Sequence, residues 1–492
     1  MQLPQPIPAT PARARAPFPS LVIHPGGFEA QGAFARAQAA FLEPDLELVA
    51  RLGELLEATR SGVVAHFYMD AELQGVLSAC PYPHIHIADS LQMADRALKM
   101  AEQGARAIAV LGVDFMSENV RAMLDASGFS HVPVYRPVER PIGCSLAESA
   151  EAPAYGAYLA RAAQAPRSLH VIYVNTSLRV KAQAQALLPT VTCTSSNVLP
   201  LLLQAFAQVP DLQVWFGPDT YMGRNLDDML QALSRMDAAT VARLHPAHTP
   251  ESLAAAHERF HYFEQGVCIV HHMFGDAVVH QVERDYADAF ITAHLEVPGE
   301  MFGLAFAAQQ QGRGVVGSTS NILEFICAKV DEAVAAREPA RLRFVLGTES
   351  GMITPVARRV QHRLRELRDA GGPEISVEIV FPVASEAVAT TGDAHLPVVP
   401  GVAGGEGCST AGGCATCPYM KMSSLDALLD LLERIERDPP SALAGYMPKT
   451  YPEPAGGASI AELGTRSIVR MRAFQQQHAL PGELVAEICR AR

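Results

Sequence analysis

Three cysteines fall within ten positions in "CSTAGGCATCPYMKM" (residues 408–422), in a chain that has nine. The middle of the stretch, Cys414-Ala-Thr-Cys417, is a CxxC. Three chemistries use such a group. A closed zinc knuckle needs a second CxxC or a paired-histidine motif, and the chain has no second CxxC. A redox dithiol needs its CxxC to open a helix directly after a strand, whereas this one follows the Gly-rich "PVVPGVAGGEG" (397–407). The third chemistry joins Cys417 to the distant Cys144 and Cys268. Three thiolates from separate regions suit a [4Fe–4S] cluster with one iron left without a cysteine. That iron is a Lewis acid for hydroxyl, carboxylate or carbonyl oxygens. The third reading is preferred.

Distant ligands need elements that bring them together. Short apolar runs followed by helical periodicity predict an α/β chain with parallel sheets. "GVVAHFYM" (62–69), "LHVIYVNTS" (169–177) and "DAFITAHLE" (288–296) each end in two functional side chains spaced by two. These are His66 and Tyr68, Tyr173 and Asn175, and His294 and Glu296; on a strand that spacing puts both on one face. Some 22 to 24 positions later come hydroxyls: Ser90 in "ADSL", Ser195 in "CTSSN", and Ser318 and Thr319 in "GSTSN". A hydroxyl that ends a strand and opens a helix sits where open α/β sheets bind anions. Each unit then reaches a cysteine, at Cys144, Cys268 and Cys417. The order of pair, hydroxyl and cysteine repeats three times and predicts a triplicated α/β unit. The simpler reading of the same hydroxyls is that they cap the helices that follow.

Length and composition agree. A chain of 492 residues suggests several domains, and 49% hydrophobic with 18% charged residues is a globular composition. We divide it into a disordered Pro/Ala-rich leader and lead-in (1–45), three α/β domains (46–150, 151–283 and 284–430) and a C-terminal helical segment (431–492). A net charge of −13 argues against a nucleic-acid partner. No apolar run approaches the length of a membrane span. Nine cysteines without an apolar signal segment point to a reducing cytoplasm.

The stretches "AHFYMDAELQG", "ADSL", "GVDFMSEN", "GCSLAES", "YVNTSLRVKA", "CTSSN", "GPDTYMGRNL", "GVCIVH", "AHLE", "GSTS", "GTESGMI" and "CPYMKM", in this order, resemble the quinolinate synthase family. The resemblance covers most of the chain. It implies three similar three-layer αβα domains with pseudo-threefold symmetry around a central active site. It also implies a [4Fe–4S] cluster on Cys144, Cys268 and Cys417. Cys417 is chosen over Cys414 because the family ligand directly precedes a Pro-aromatic-Met motif, here "CPYM". The implied activity is a transferase's condensation of iminoaspartate with dihydroxyacetone phosphate to quinolinate, with loss of phosphate and two waters. An L-aspartate oxidase would supply the iminoaspartate.

In that chemistry His66 and Tyr68 position substrate or move protons. Tyr173 and Asn175 bond a carboxylate and a ketone oxygen. Glu296, beside His294, is the general base. Ser90, Ser195, Ser318 and Thr319 hold phosphate and carboxylates. The rival classes are another [4Fe–4S] hydro-lyase, a non-catalytic iron–sulfur redox protein and a zinc aldolase. Three features depart from the family pattern. "HLE" stands for the usual HPE, and His272 stands where an acidic residue commonly follows the histidine. There are also two insertions. One, about 230–262, reads as an exposed helical hairpin carrying His245, His248, His257 and His261, whose spacing fits no standard metal set. The other, about 381–407, lacks periodicity and reads as a lid.

Overall fold

The runs "GVVA" and "AIAVL" are apolar without alternation, which suits a strand covered on both faces. In the computed structural model they lie in the strands Ser61–His66 and Ala107–Leu111, every residue of which is buried. The structure describes residues 17–268, 270–271, 274–382, 388–390, 398–400 and 417–490.

Three parallel sheets dominate. The first runs Ile85–Ala88, Ser61–His66, Ala107–Leu111, Val134–Tyr135. The second runs Thr190–Cys193, Ser168–Tyr173, Gln213–Gly217, Phe260–Tyr262. The third runs Gly314–Gly317, Phe290–His294, Ala340–Gly347, Ile375–Val380. In chain order all three read second, first, third, fourth, and every pairing within these sets is parallel. In each, a helix follows the first, second and third strands. The chain is therefore α/β, built three times on one topology. Such an order reverses direction beside its first strand, and the crevice at the carboxyl ends there is where ligands bind.

The C-terminal part packs back on these units. The helix Ile460–Gln477 lies against the helix Leu178–Leu187 and the strand Thr190–Cys193. Ser467 hydrogen-bonds Thr192 at 2.9 Å, and the buried Arg470 donates to Gln185 Oε1 (2.6 Å) and to the Thr190 carbonyl (3.1 Å). The helix Leu425–Arg437 packs on Leu46–Thr59. No helix among the described residues is long and apolar enough to cross a membrane.

Two expectations change. The lead-in is not disordered through residue 45, because Ser20–His24 and Gly27–Gln31 form a hairpin that extends the third sheet. Ser20–His24 pairs antiparallel with Ile375–Val380 and buries Leu21 and Ile23 completely. Four alternating residues were too short a signal beside a Pro-rich leader, whose residues 1–16 lie outside those described. The 230–262 segment contains the helices Ala238–Leu244 and Pro250–His257, yet its end is the fourth strand of the second sheet. Its histidines are tied separately. His248 is buried against the Leu203 carbonyl (2.7 Å), His245 meets Gln204, His257 faces Asp227, and His261 meets Gln213. Of the second insertion, Val388–Thr390 and Val398–Pro400 form a short antiparallel pair. The remainder of the expected lid falls largely outside the described residues, as do Cys408 and Cys414.

Since Leu21 is wholly enclosed at this edge, Leu21→Ala is expected to cost about 2–4 kcal/mol through lost transfer energy and the cavity left behind. The midpoint of urea unfolding measures it. An unchanged midpoint would mean that the hairpin carries no stability.

Candidate active site

Strand register shows which residues are equivalent. At the end of each first strand His66 lies opposite Ala88, Tyr173 opposite Cys193 and His294 opposite Gly317. The residue two beyond each partner is Ser90, Ser195 and Thr319. The structure brings His66, Tyr173 and His294, with Ser90, Ser195 and Thr319, to one cavity. Its wall also holds Tyr68, Asn175, Glu296, Cys144, Cys268 and Cys417. Ser318 is the exception among the expected residues. It caps the helix Thr319–Ala336, its hydroxyl donating to Asn321 Oδ1 (2.8 Å) and accepting from Asn321 N (3.2 Å), and it is fully buried away from the cavity. The capping reading was right for Ser318. For the first helix the cap is Asp89 instead of Ser90.

The three units interlock at this cavity. The Tyr68 hydroxyl meets Thr348 Oγ1 at 3.1 Å, and the Tyr173 hydroxyl donates to Glu296 Oε1. Asp89 Oδ2 accepts from the Ser196 hydroxyl (3.2 Å) and the Ser320 hydroxyl (2.7 Å), joining the hydroxyl-bearing turns of all three units. Close approach demands glycine at 351, where a Cβ would stand 2.5 Å from the Phe67 carbonyl oxygen.

Backbone bonds fix the imidazole tautomers. Tyr68 N donates to His66 Nδ1 (3.2 Å) and Glu296 N donates to His294 Nδ1 (3.3 Å). Each Nδ1 is therefore an acceptor, and Nε2 carries the proton of the neutral ring. His294 Nε2 accordingly donates to Ser195 Oγ at 3.2 Å. Burial lowers the His66 pKa to about 4 and that of His294 to about 3. The 3.9 Å separation of His294 Nδ1 and Glu296 Oε1 is accordingly not an ion pair. Burial pushes the Glu296 carboxyl up, but the facing His271 imidazole and the Tyr173 hydroxyl outweigh it, leaving a carboxylate. His271 Nδ1 lies 3.0 Å from Glu296 Oε2. Glu349 has the opposite fate: burial first, then the charge of Glu296, raise its carboxyl well above the usual range. Burial likewise raises the Tyr68 and Tyr173 phenols, which stay protonated.

The thiols share one environment. Burial raises all three, Cys144 to about 12 and Cys268 and Cys417 well above the ordinary thiol value, so bare thiolates are costly here. Each sulfur nevertheless accepts backbone N–H groups from the turn that follows it. Leu146 and Ala147 donate to Cys144, His271 to Cys268, and Tyr419 and Met420 to Cys417. Cys268 and Cys417 interact electrostatically, as do Cys417 and Cys144. Three soft donors on one cavity, each with N–H···S support, fit an iron–sulfur cluster.

Asp89, His271 and Glu349 were not singled out from the sequence. A signal for Glu349 existed: each third strand ends in Gly-x-acid, as Gly112-Val113-Asp114, Gly217-Pro218-Asp219 and Gly347-Thr348-Glu349. Only the last acid lines the cavity. Asp114 pairs with Arg136 at 2.8 Å, and Asp219 caps the helix Thr220–Leu233.

A family model described as "Quinolinate synthetase A protein" matches residues 50–372. The chloroplastic quinolinate synthase of Arabidopsis thaliana is 50% identical over 485 residues, covering 96% of this chain and 67% of the relative. The chloroplastic enzyme of Oryza sativa subsp. japonica is 50% identical over 499 residues, covering 96% and 69%. A quinolinate synthase of Thermosynechococcus vestitus is 26% identical over 314 residues, covering 64% and 76%. With the family model matching well over half its length and relatives this similar along nearly all of it, the chain belongs to the quinolinate synthase family.

Proposed function

We propose that the protein condenses iminoaspartate with dihydroxyacetone phosphate to quinolinate, releasing phosphate and two waters, as a cytoplasmic transferase of de novo NAD synthesis. An aspartate-oxidising enzyme would supply the iminoaspartate. The observation that carries this reading is the meeting of three thiols, a buried carboxylate and hydroxyls from all three units in one cavity. Cys144, Cys268 and Cys417 would hold a [4Fe–4S] cluster, which when bound supplies a Lewis-acidic iron without a cysteine ligand.

The chain's own groups supply the rest. Glu296, held ionised, takes protons from the substrate carbon and nitrogen as general base. Tyr173, donating to the same carboxylate, orients it. The Nε2–H groups of His66 and His294 and the hydroxyl of Tyr68 donate to oxygens on which negative charge develops. Asn175 binds the substrate's carboxylate or ketone oxygen. Ser90, Ser195 and Thr319, at turns that open helices, take phosphate and carboxylates. The Asp89 charge would oppose an anion there, and the Ser196 and Ser320 hydroxyls together with Gln92 N absorb it.

A second reading rests on Cys268, His271 and Glu296, whose candidate ligand atoms lie within 4.8 Å of one another. Such a set suits a single zinc ion, as in a zinc aldolase.

Anaerobic metal analysis separates the two. We expect about four irons with matching sulfide per wild-type chain, and loss of the cluster in Cys144→Ala, Cys268→Ala and Cys417→Ala but not in Cys414→Ala. One zinc per chain without acid-labile sulfide would favour the second reading. Glu296→Gln is expected to retain its cluster and lose about 10²–10⁴-fold in kcat for quinolinate formation, followed by chromatography of the product. Because burial holds His66 near 4, its ring stays neutral above that pH. An acid limb of kcat/KM owed to His66 should therefore fall near pH 4. A limb near 6.5 that disappears in His66→Asn would show a solvated imidazole instead.

A further inference from the structure

The second residue of each strand-end pair is Tyr68, Asn175 or Glu296. Each sits in a turn between two backbone carbonyls, and in every case one buried side chain grips both. Gln74 Nε2 donates to the Phe67 carbonyl (2.9 Å) and the Met69 carbonyl (2.8 Å). Lys181 Nζ donates to the Val174 carbonyl (3.1 Å) and the Thr176 carbonyl. Asn225 Nδ2 donates to the Leu295 carbonyl (2.9 Å) and the Val297 carbonyl (2.8 Å). All three gripping side chains are 0% exposed.

We propose that Gln74, Lys181 and Asn225 are a threefold set of positioning residues that aim Tyr68, Asn175 and Glu296 into the cavity by holding the carbonyls on either side of each. None of the three lines the cavity. Their donors are committed elsewhere. The third acceptor of Lys181 is Thr176 Oγ1 (2.9 Å), which fills its three donors, and Gln74 also reaches the Gly351 carbonyl (2.9 Å) of the third unit. Gln74 Oε1 and Asn225 Oδ1 are buried without a hydrogen bond among the described residues. Leaving a buried amide oxygen unsatisfied is costly, so what these amides contribute is their N–H groups. Lys181 is the fourth residue of its helix, where the helix dipole disfavours a cation, and the turn's carbonyls offset that. Two grips sit six residues after the residue they flank. The third, Asn225, crosses from the second unit's helix Thr220–Leu233 to the third unit, tying Glu296 to its neighbour.

The catalytic consequence rests on the proposed function, whereas the grip itself does not. Gln74→Met, Lys181→Met and Asn225→Leu keep bulk and remove the donors. Hydrogen–deuterium exchange on the cluster-loaded full chain reads residues 66–70, 173–177 and 294–298. Each variant is expected to speed exchange about tenfold in its own segment and to leave the other two at the wild-type rate. An unchanged segment, or an equal rise in all three, overturns the proposal. In quinolinate formation Asn225→Leu should lower kcat about 100-fold with KM little changed, and Lys181→Met should act chiefly on KM. Wild-type kinetics in a variant whose segment has loosened would overturn it as well. A wild-type chain that makes no quinolinate sinks the functional reading, and exchange still decides the grips. If Asn225→Leu does not fold, the smaller Asn225→Ala, which also lacks the donors, carries the same test.

Discussion

A carboxylate shut away from water survives as an anion only among fixed donors, and Glu296 is 4% exposed. Its donors come from different parts of the chain. Tyr173 donates to it from the second sheet, and His271, in the loop that carries Cys268, stands 3.0 Å from it. Asn225, on a helix of the second unit, holds its backbone. The second and third units cannot separate without orphaning this charge. The first unit is bound in through Tyr68 on Thr348, Asp89 on Ser196 and Ser320, and Gln74 on Gly351. Buried polar satisfaction at the centre therefore fixes how the three sheets meet, and the apolar core fills the space around that arrangement.

The same economy governs the backbone. Carbonyls in strand-end turns have left the sheet ladder, and at a buried meeting point no bulk water replaces it. Side chains must supply the missing donors. A catalytic turn held that way is rigid without a helix or strand running through it, which suits a site whose reacting groups need fixed geometry.

Much of this was legible in the sequence. The α/β class followed from short apolar runs with helical periodicity after them, and the strand-end pairs at 66/68, 173/175 and 294/296 do face one cavity. The family resemblance, read from ordered short motifs, agrees with the comparisons. What escaped notice depends on partners far away in the chain. Ser318 and Thr319 are adjacent hydroxyls, and only the pairing of His294 with Gly317 shows which one matches Ser90 and Ser195. The hairpin at 20–31 depends on an edge supplied by residues 375–380. Gln74, Lys181 and Asn225 read as ordinary polar positions in helices until the carbonyls they face are known. The Gly-x-acid repeat was visible but ambiguous, since two of its three acids serve structure.

That ambiguity follows from how repetition and environment divide the work. One topology used three times places equivalent positions at equivalent distances from a centre, but it does not set their protonation. Asp114 faces Arg136 in a salt bridge, Asp219 caps a helix and is raised by burial, and Glu349 is raised by burial beside an ionised Glu296. His66 and His294 share a tautomer because each turn offers the same backbone N–H to Nδ1. Tyr173, at the equivalent place in the second unit, has no such nitrogen and donates to a carboxylate instead. Pairs of groups whose surroundings push their protonation apart are the material of acid–base chemistry. A symmetric scaffold acquires such pairs only where its units stop being alike. Here that occurs at the strand ends, within reach of all three thiols.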